Sequence, residues 1–195
     1  MPNWKSALSA LAIVLAALSG TGAMAGPATQ VKFETTAGDF IVELDESRAP
    51  LTVANFLQYV RDGFYSGTIF HRVVDGFVIQ GGGYTPDFVL KPARPPIANE
   101  SGNGLGNRRG TIAMARTEAP HSADAQFYVN LADNPMLDPK PTRWGYAVFG
   151  EVISGMNVVD EIGHAATGNR GDMQNVPVTP VVITKATILV DPAPG

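Results

Sequence analysis

Apolar residues follow a period of two through most of this chain and a helical period in only two places, which excludes most ways of layering a sheet. "VKFETTAGDFIVELD", residues 31–45, reads as two alternating strands around a tight turn at Ala37-Gly38. In "APLTVANFLQYVRDGF" the period changes. Pro50 suits a first helical turn, Val53, Phe56, Leu57 and Val60 fall on one face, and Gly63 supplies a stop. Short β-like runs follow: "TIFHRV", "FVIQGG", "GTIAMA", "AQFYVNL", "YAVFGEV" and "VVITKATILV". A second helix is expected at "SGMNVVDEIG", with Ser154 as N-cap and Gly163 as stop. About eight short strands with two helices, and no alternation of strand and helix, predict a mainly β fold: a closed eight-stranded antiparallel barrel capped by two α-helices.

A chain of 195 residues, 45% hydrophobic and 16% charged, can bury a full core as one domain. Its first 25 residues differ from the rest. Lys5 is their only charge, Ala7 to Leu18 is an apolar run too short for a membrane span, and Ala23-Met24-Ala25 is a small-x-small cleavage pattern. The expected organisation is a signal peptide over 1–25, a linker over 26–30, one domain over 31–190 and a tail over 191–195. Export, most simply to a periplasm, follows, with cleavage after Ala25. The competing reading is an uncleaved N-terminal anchor. The chain has no cysteine, so a thiol nucleophile, a thiolate metal site and a disulfide are all excluded. The net charge is −4, and losing Lys5 makes the mature chain more acidic. That gives no electrostatic case for nucleic acid or an anionic membrane surface.

Several site types are ruled down by pattern. His71, His121 and His164 lie far apart without zinc-ligand spacing, so no metal is expected. No serine sits in a G-x-S-x-G elbow, and "HSAD" at 121–124 reads as a polar loop. The glycines at 81–83 and "GNGLG" at 102–106 lack the strand, Lys-Ser/Thr and helix of a phosphate loop, and read as turns and close backbone packing. Asn99-Glu100-Ser101 is a glycosylation sequon, relevant only in a eukaryotic secretory pathway.

One stretch resists a purely structural reading. "FHRVVDGFVIQGG", Phe70 to Gly82, places an arginine and a glutamine in an apolar hairpin. A half-buried guanidinium is costly unless paired, so Arg72 is either an ion-pair partner of an acid such as Asp75 or Glu118, or a donor aimed at a ligand. Spacing leaves two registers open. A two-residue turn at Asp75-Gly76 sets Arg72 opposite Ile79, and a three-residue loop over 75–77 sets it opposite Gln80.

This stretch matches the signature of the cyclophilins, a family of peptidyl-prolyl cis-trans isomerases, at nearly every position. The resemblance continues through "GTIAMAR", "AQFYVN", Leu137-Asp138 and "YAVFGEVISGMNVVDEI", covering about Val31 to Val190. The leader, the "MART" segment and "NLADNPMLD" resemble the bacterial exported branch. The resemblance implies an eight-stranded barrel with two helices and isomerase activity on Xaa-Pro bonds without cofactor or metal. It assigns Arg72 as the catalytic arginine and Gln80 as the glutamine that orients it. Phe77, Val78, Tyr128 and Leu137 would line a proline pocket, and Ala115, Arg116 and Gln126 would grip the substrate backbone. Met136 stands where animal cyclophilins carry a cyclosporin-contacting tryptophan, Tyr146 at a pocket histidine, and Tyr128 at a phenylalanine. A flexible Met can still floor a pocket, so weak cyclosporin binding is expected with activity retained.

The expected partners are flexible proline-containing polypeptides, including exported proteins during folding, and the expected state is a monomer. The rival class is a proline-peptide binding module or holdase with little turnover. Retention of both Arg72 and Gln80 favours the enzyme, because binding alone needs apolar walls more than a forked donor.

Overall fold

A computed structural model of the chain describes residues 28–190. The leader, the Ala25 cleavage site, the first residues of the linker and the 191–195 tail lie outside the described residues. The strands are β1 (Gln30–Thr35), β2 (Gly38–Leu44), β3 (Thr68–Val74), β4 (Val78–Tyr84), β5 (Thr111–Met114), β6 (Phe127–Asn130), β7 (Val148–Ser154), β8 (Thr167–Arg170), β9 (Met173–Pro177) and β10 (Val182–Val190). The helices are α1 (Pro50–Arg61) and α2 (Met156–Gly163), with a 3-10 turn at Pro135–Leu137. Eight strands close an antiparallel barrel in the order β1-β10-β3-β4-β6-β5-β7-β2, the architecture that the alternating apolar pattern predicts.

The barrel interior is aromatic. Phe33 stacks on Phe40 with centroids 4.9 Å apart, and Phe127 lies 5.2 Å from Phe33. α1 plugs one end by lowering Phe56 to within 5.0 Å of Phe149 and 6.0 Å of Phe127. Its start has no side-chain cap from Ala49. Glu100 of the long 91–110 loop supplies one, accepting bonds from the Leu51 and Thr52 amides at 3.1 and 2.8 Å. A carboxylate there satisfies two orphan donors and suits the positive end of the helix.

Two expectations are corrected and one element is added. Ser154 is the last residue of β7 and does not cap α2; the N-cap is Gly155, with φ of 80°. A Cβ at Gly155 would stand 2.4 Å from the Asp39 carbonyl oxygen, so only glycine makes this turn. The linker is shorter than 26–30, because Thr29 is buried and Gln30 already pairs in β1. A two-stranded ribbon, β8–β9, goes unforeseen because its residues are polar and mostly exposed, so no apolar alternation marks it.

Candidate active site

The β3–β4 hairpin adopts the three-residue loop, 75–77. Val74 faces Val78, Val73 faces Ile79 and Arg72 faces Gln80. Gly76 has φ of 65°, and the Phe77 amide closes the loop onto the Val74 carbonyl at 3.0 Å. One step further the ladder breaks, because Phe70 pairs with Gly81 and His71 has no partner. His71 is therefore the extra residue of a β-bulge. In an unbroken strand residues 70 and 72 would share a face. With the bulge, Phe70 is fully buried in the barrel and Arg72 stands half-buried outside it.

Arg72 begins a row that crosses four more strands. Gln80 pairs with Tyr128, Tyr128 with Ala113, and Ala113 with Val148. Val78, Ala113, Tyr128 and Val148 form a small buried apolar cluster separate from the barrel core, with Phe77, Leu105, Ala115, Leu137 and Tyr146 packed against it. Polar groups at one end thus meet an apolar patch along one row.

Arg72 Nη1 donates to Gln80 Oε1 at 3.5 Å, and Gln80 Nε2 donates to Gln126 Oε1 at 3.3 Å. Because the Gln80 carbonyl takes the guanidinium, its amide must turn to Gln126. Among the described residues Arg72 makes no ion pair. Asp75 lies 3.7 Å from His164 Nε2 instead, and the Glu118 contact in this region is a backbone carbonyl bonded to Arg116. The ion-pair reading of Arg72 thus fails, and its other donors remain available to a ligand.

Two assigned residues stand differently from expectation. The Arg116 side chain is turned inward as a clamp: Nε donates to Gly145 O at 3.1 Å, Nη2 to Trp144 O at 2.8 Å and Nη1 to Thr117 O at 2.8 Å. Its guanidinium also stacks over Tyr146, 4.5 Å from the ring centre. What residue 116 can offer a ligand is its backbone. Met136 lies in the 3-10 turn, 64% exposed and outside the apolar cluster, so it is a rim residue and not a pocket floor. Phe77, Val78, Tyr128, Leu137 and Tyr146 are brought together; Ala113, Val148 and Leu105 join them unforeseen. Ala113 and Val148 had a signal, since each lies on the outward parity of its strand, in line with Tyr128.

Burial, with the neighbouring Arg72 charge, lowers the His71 pKa to about 4. Burial likewise raises the Tyr128 phenol above its ordinary range, and Tyr146 and Asp138 add to it. His71 is thus neutral and Tyr128 protonated near neutral pH.

Elsewhere, His121, Ser122 and Asp124 form no triad. His121 Nδ1 accepts from the Asn99 amide and Ser122 Oγ from the Thr117 amide, as a polar loop requires. Asn99 of the sequon spends its side-chain amide on the Pro120 and Gly145 carbonyls. A cavity of about 620 Å³ on the outer side of β2 and β7 shares Leu105 and Val148 with the apolar cluster, but contains none of Arg72, Gln80 and Gln126.

Known proteins share this fold and much of this sequence. Residues 30–188 match the family described as cyclophilin type peptidyl-prolyl cis-trans isomerase/CLD. The chain is 48% identical over 186 residues to peptidyl-prolyl cis-trans isomerase A of Dickeya dadantii (strain 3937), covering 95% of this chain and 98% of that one. It is 52% identical over 161 residues to peptidyl-prolyl cis-trans isomerase B of Escherichia coli (strain K12), covering 81% and 98%. Among solved structures, a cyclophilin type isomerase of Cryptosporidium parvum superposes with a TM-score of 0.73 at 28% identity, over 85% of this chain and all of that one. The same protein in the presence of the dipeptide Ala-Pro gives 0.71 at 27% identity, over 83% of this chain and 99% of that one.

Proposed function

This chain belongs to the cyclophilin-type peptidyl-prolyl cis-trans isomerases, and from that premise we propose that Arg72, oriented by Gln80, is the group that lowers the barrier to rotation about an Xaa-Pro bond. The row Arg72–Gln80–Tyr128–Ala113–Val148 carries the reading, since it sets one forked cation beside one apolar slot.

Amide resonance opposes the rotation with a barrier of roughly 20 kcal/mol, and uncatalysed exchange takes about tens of seconds or longer. No covalent bond has to form or break. In the twisted transition state the prolyl nitrogen loses conjugation and gains a basic lone pair that neither planar isomer has. A donor aimed at that nitrogen stabilises the transition state above both ground states, which is the condition for catalysis. Arginine is always protonated and rigidly forked, so one Nη can rest on Gln80 while the remaining donors face the substrate.

Phe77, Val78, Tyr128, Leu137 and Tyr146 hold the pyrrolidine ring, backed from beneath by the buried Ala113 and Val148. Gln126 and the backbone of Ala115 and Arg116 hold the adjoining peptide, so that one side of the bond turns while the other is fixed. The reaction needs no cofactor and no metal.

The physiological substrates are proline-containing segments of exported proteins, met in the periplasm by a monomer released from its leader after Ala25. Support comes from the leader composition: one charge at Lys5, the apolar run Ala7 to Leu18 and the Ala23-Met24-Ala25 pattern. The test is refolding of an exported protein whose slow phase is a prolyl isomerisation, with residues 26–195 or the Arg72→Ala variant added, alongside fractionation of expressing cells. Acceleration by the first alone, with the protein in the periplasmic fraction, is the expected result. Equal yields with an unchanged slow phase would favour a holdase.

A further inference from the structure

Behind the groove lies a buried polar network with Asn107 at its centre. Tyr128 is 4% exposed and Asn107 1% exposed, and the Tyr128 hydroxyl donates to Asn107 Oδ1 at 2.6 Å. Asp138 Oδ1 accepts from both the Asn107 backbone amide, at 2.7 Å, and its side-chain amide, at 2.9 Å. An ionised carboxylate only accepts. Asp138 therefore forces the NH2 of Asn107 toward itself, the carbonyl toward Tyr128, and the phenolic hydrogen onto that carbonyl.

The network reaches the other wall of the slot. Asn134 donates its backbone amide to the Asn107 carbonyl at 2.7 Å, and its side chain donates to Asn130 Oδ1 at 2.8 Å and to the Phe77 carbonyl at 3.0 Å. Asn130 in turn reaches Asn107 Oδ1 at 3.3 Å and Thr111 Oγ1 at 2.9 Å. The Asn134 carbonyl accepts the Leu137 amide at 2.9 Å. Asn107 thus holds the ring of Tyr128 directly and, through Asn130 and Asn134, is joined to the backbone of Phe77 and, one residue before Asp138, the backbone of Leu137.

Resting on the reading of the groove given above, we infer that Asn107 is a positioning residue for the isomerase reaction, setting the separation of the Tyr128, Phe77 and Leu137 walls that grip the proline ring. It touches no substrate. A satisfied buried network is rigid, and losing one member leaves the others unpaired in a low-dielectric setting. The walls grip the ring alike in both planar isomers and in the twisted state, so loosening them weakens binding uniformly and shows in KM.

The experiment measures kcat, KM and Tm on an Xaa-Pro peptide for the wild type, Arg72→Ala, Asn107→Ala, Tyr128→Phe and the Asn107→Ala/Tyr128→Phe double variant. Asn107→Ala and Tyr128→Phe are each expected to raise KM about fivefold with kcat little changed. The double variant should be no worse than Asn107→Ala, because the two groups act through one bond. A lowered Tm with KM unmoved in both single variants, or KM effects that multiply in the double variant, overturns the inference. Should Asn107→Ala not fold, the nearly isosteric Tyr128→Phe decides alone: raised KM supports the inference and unchanged KM refutes it. Loss of activity in Arg72→Ala with KM unmoved in the Tyr128 and Asn107 variants refutes this inference and leaves the groove intact. Wild-type activity in Arg72→Ala overturns the groove reading, and this inference with it.

Discussion

Arg72 and Gln80 stand opposite each other in the β3–β4 ladder while Phe70, two residues before Arg72, points into the barrel, and His71 left out of the ladder is what permits both. A regular strand offers either a buried Phe70 or an outward Arg72, not both. Arg72, proposed as the catalytic arginine, is thus aimed by a local irregularity, and the core residue beside it holds that irregularity in place.

Deleting His71 should abolish isomerase activity. The ladder would close, and either Arg72 would enter the aromatic core or Phe70 would leave it. Removing a buried Phe contact costs about 3 kcal/mol or more, so urea unfolding should show a matching loss. A deletion variant of wild-type activity would contradict the assignment of the bulge.

Gly82→Ala should destabilise the fold by roughly 2 kcal/mol or more. Gly82 has φ of 84°, and a Cβ there would stand 2.8 Å from Phe127 Cε1 and 2.9 Å from Tyr65 Cε1. Both rings are locked in the core, so neither can yield cheaply. Thermal unfolding checks this, and an unchanged Tm would contradict it.

His71 should make the fold acid-sensitive. Its imidazole is buried, its Nδ1 has no hydrogen-bond partner, and its pKa is lowered to about 4 from the ordinary 6.5. The unfolded chain therefore takes up a proton that the folded chain refuses. The contribution of His71 is fully present above pH 6.5 and is lost as pH falls from there to about 4, amounting to roughly 3 kcal/mol. Urea midpoints across that range should fall more steeply for the wild type than for His71→Gln. Parallel curves would contradict this.

Met136→Trp should tighten cyclosporin binding by about tenfold, since an aromatic anchor at an interface centre is worth about 2 kcal/mol and a rim position captures part of it. Met136 is exposed at the edge of the slot, so the ring can be added without repacking. Titration calorimetry of both proteins checks this; equal affinities would contradict it.

The barrel was legible because its strands alternate and its one long helix carries a clean apolar face. The facing of Arg72 and Gln80 was legible as one of two registers, and the loop around Gly76 selects it. The bulge was not, because "TIFHRVV" contains no glycine or proline to mark a break and reads as a continuous strand. Asn107 was hidden for a related reason. "GNGLGNRRG" has turn composition, and an asparagine in a turn is ordinarily exposed, whereas this one is buried by the return of Asp138 from a distant segment. The clamp of Arg116 likewise depends on the Trp144 and Gly145 carbonyls, from a distant loop that no local pattern brings to it.

The most direct test of the central claim is the cis-trans exchange rate of a saturating Xaa-Pro peptide, measured by NMR exchange spectroscopy with residues 26–195 and with Arg72→Ala, beside the affinity of each for the peptide. A donor that acts only at the top of the barrier predicts an exchange rate lowered by about 10²-fold or more with affinity changed only a few-fold. Affinity and exchange falling together by the same factor would show that Arg72 merely holds the peptide.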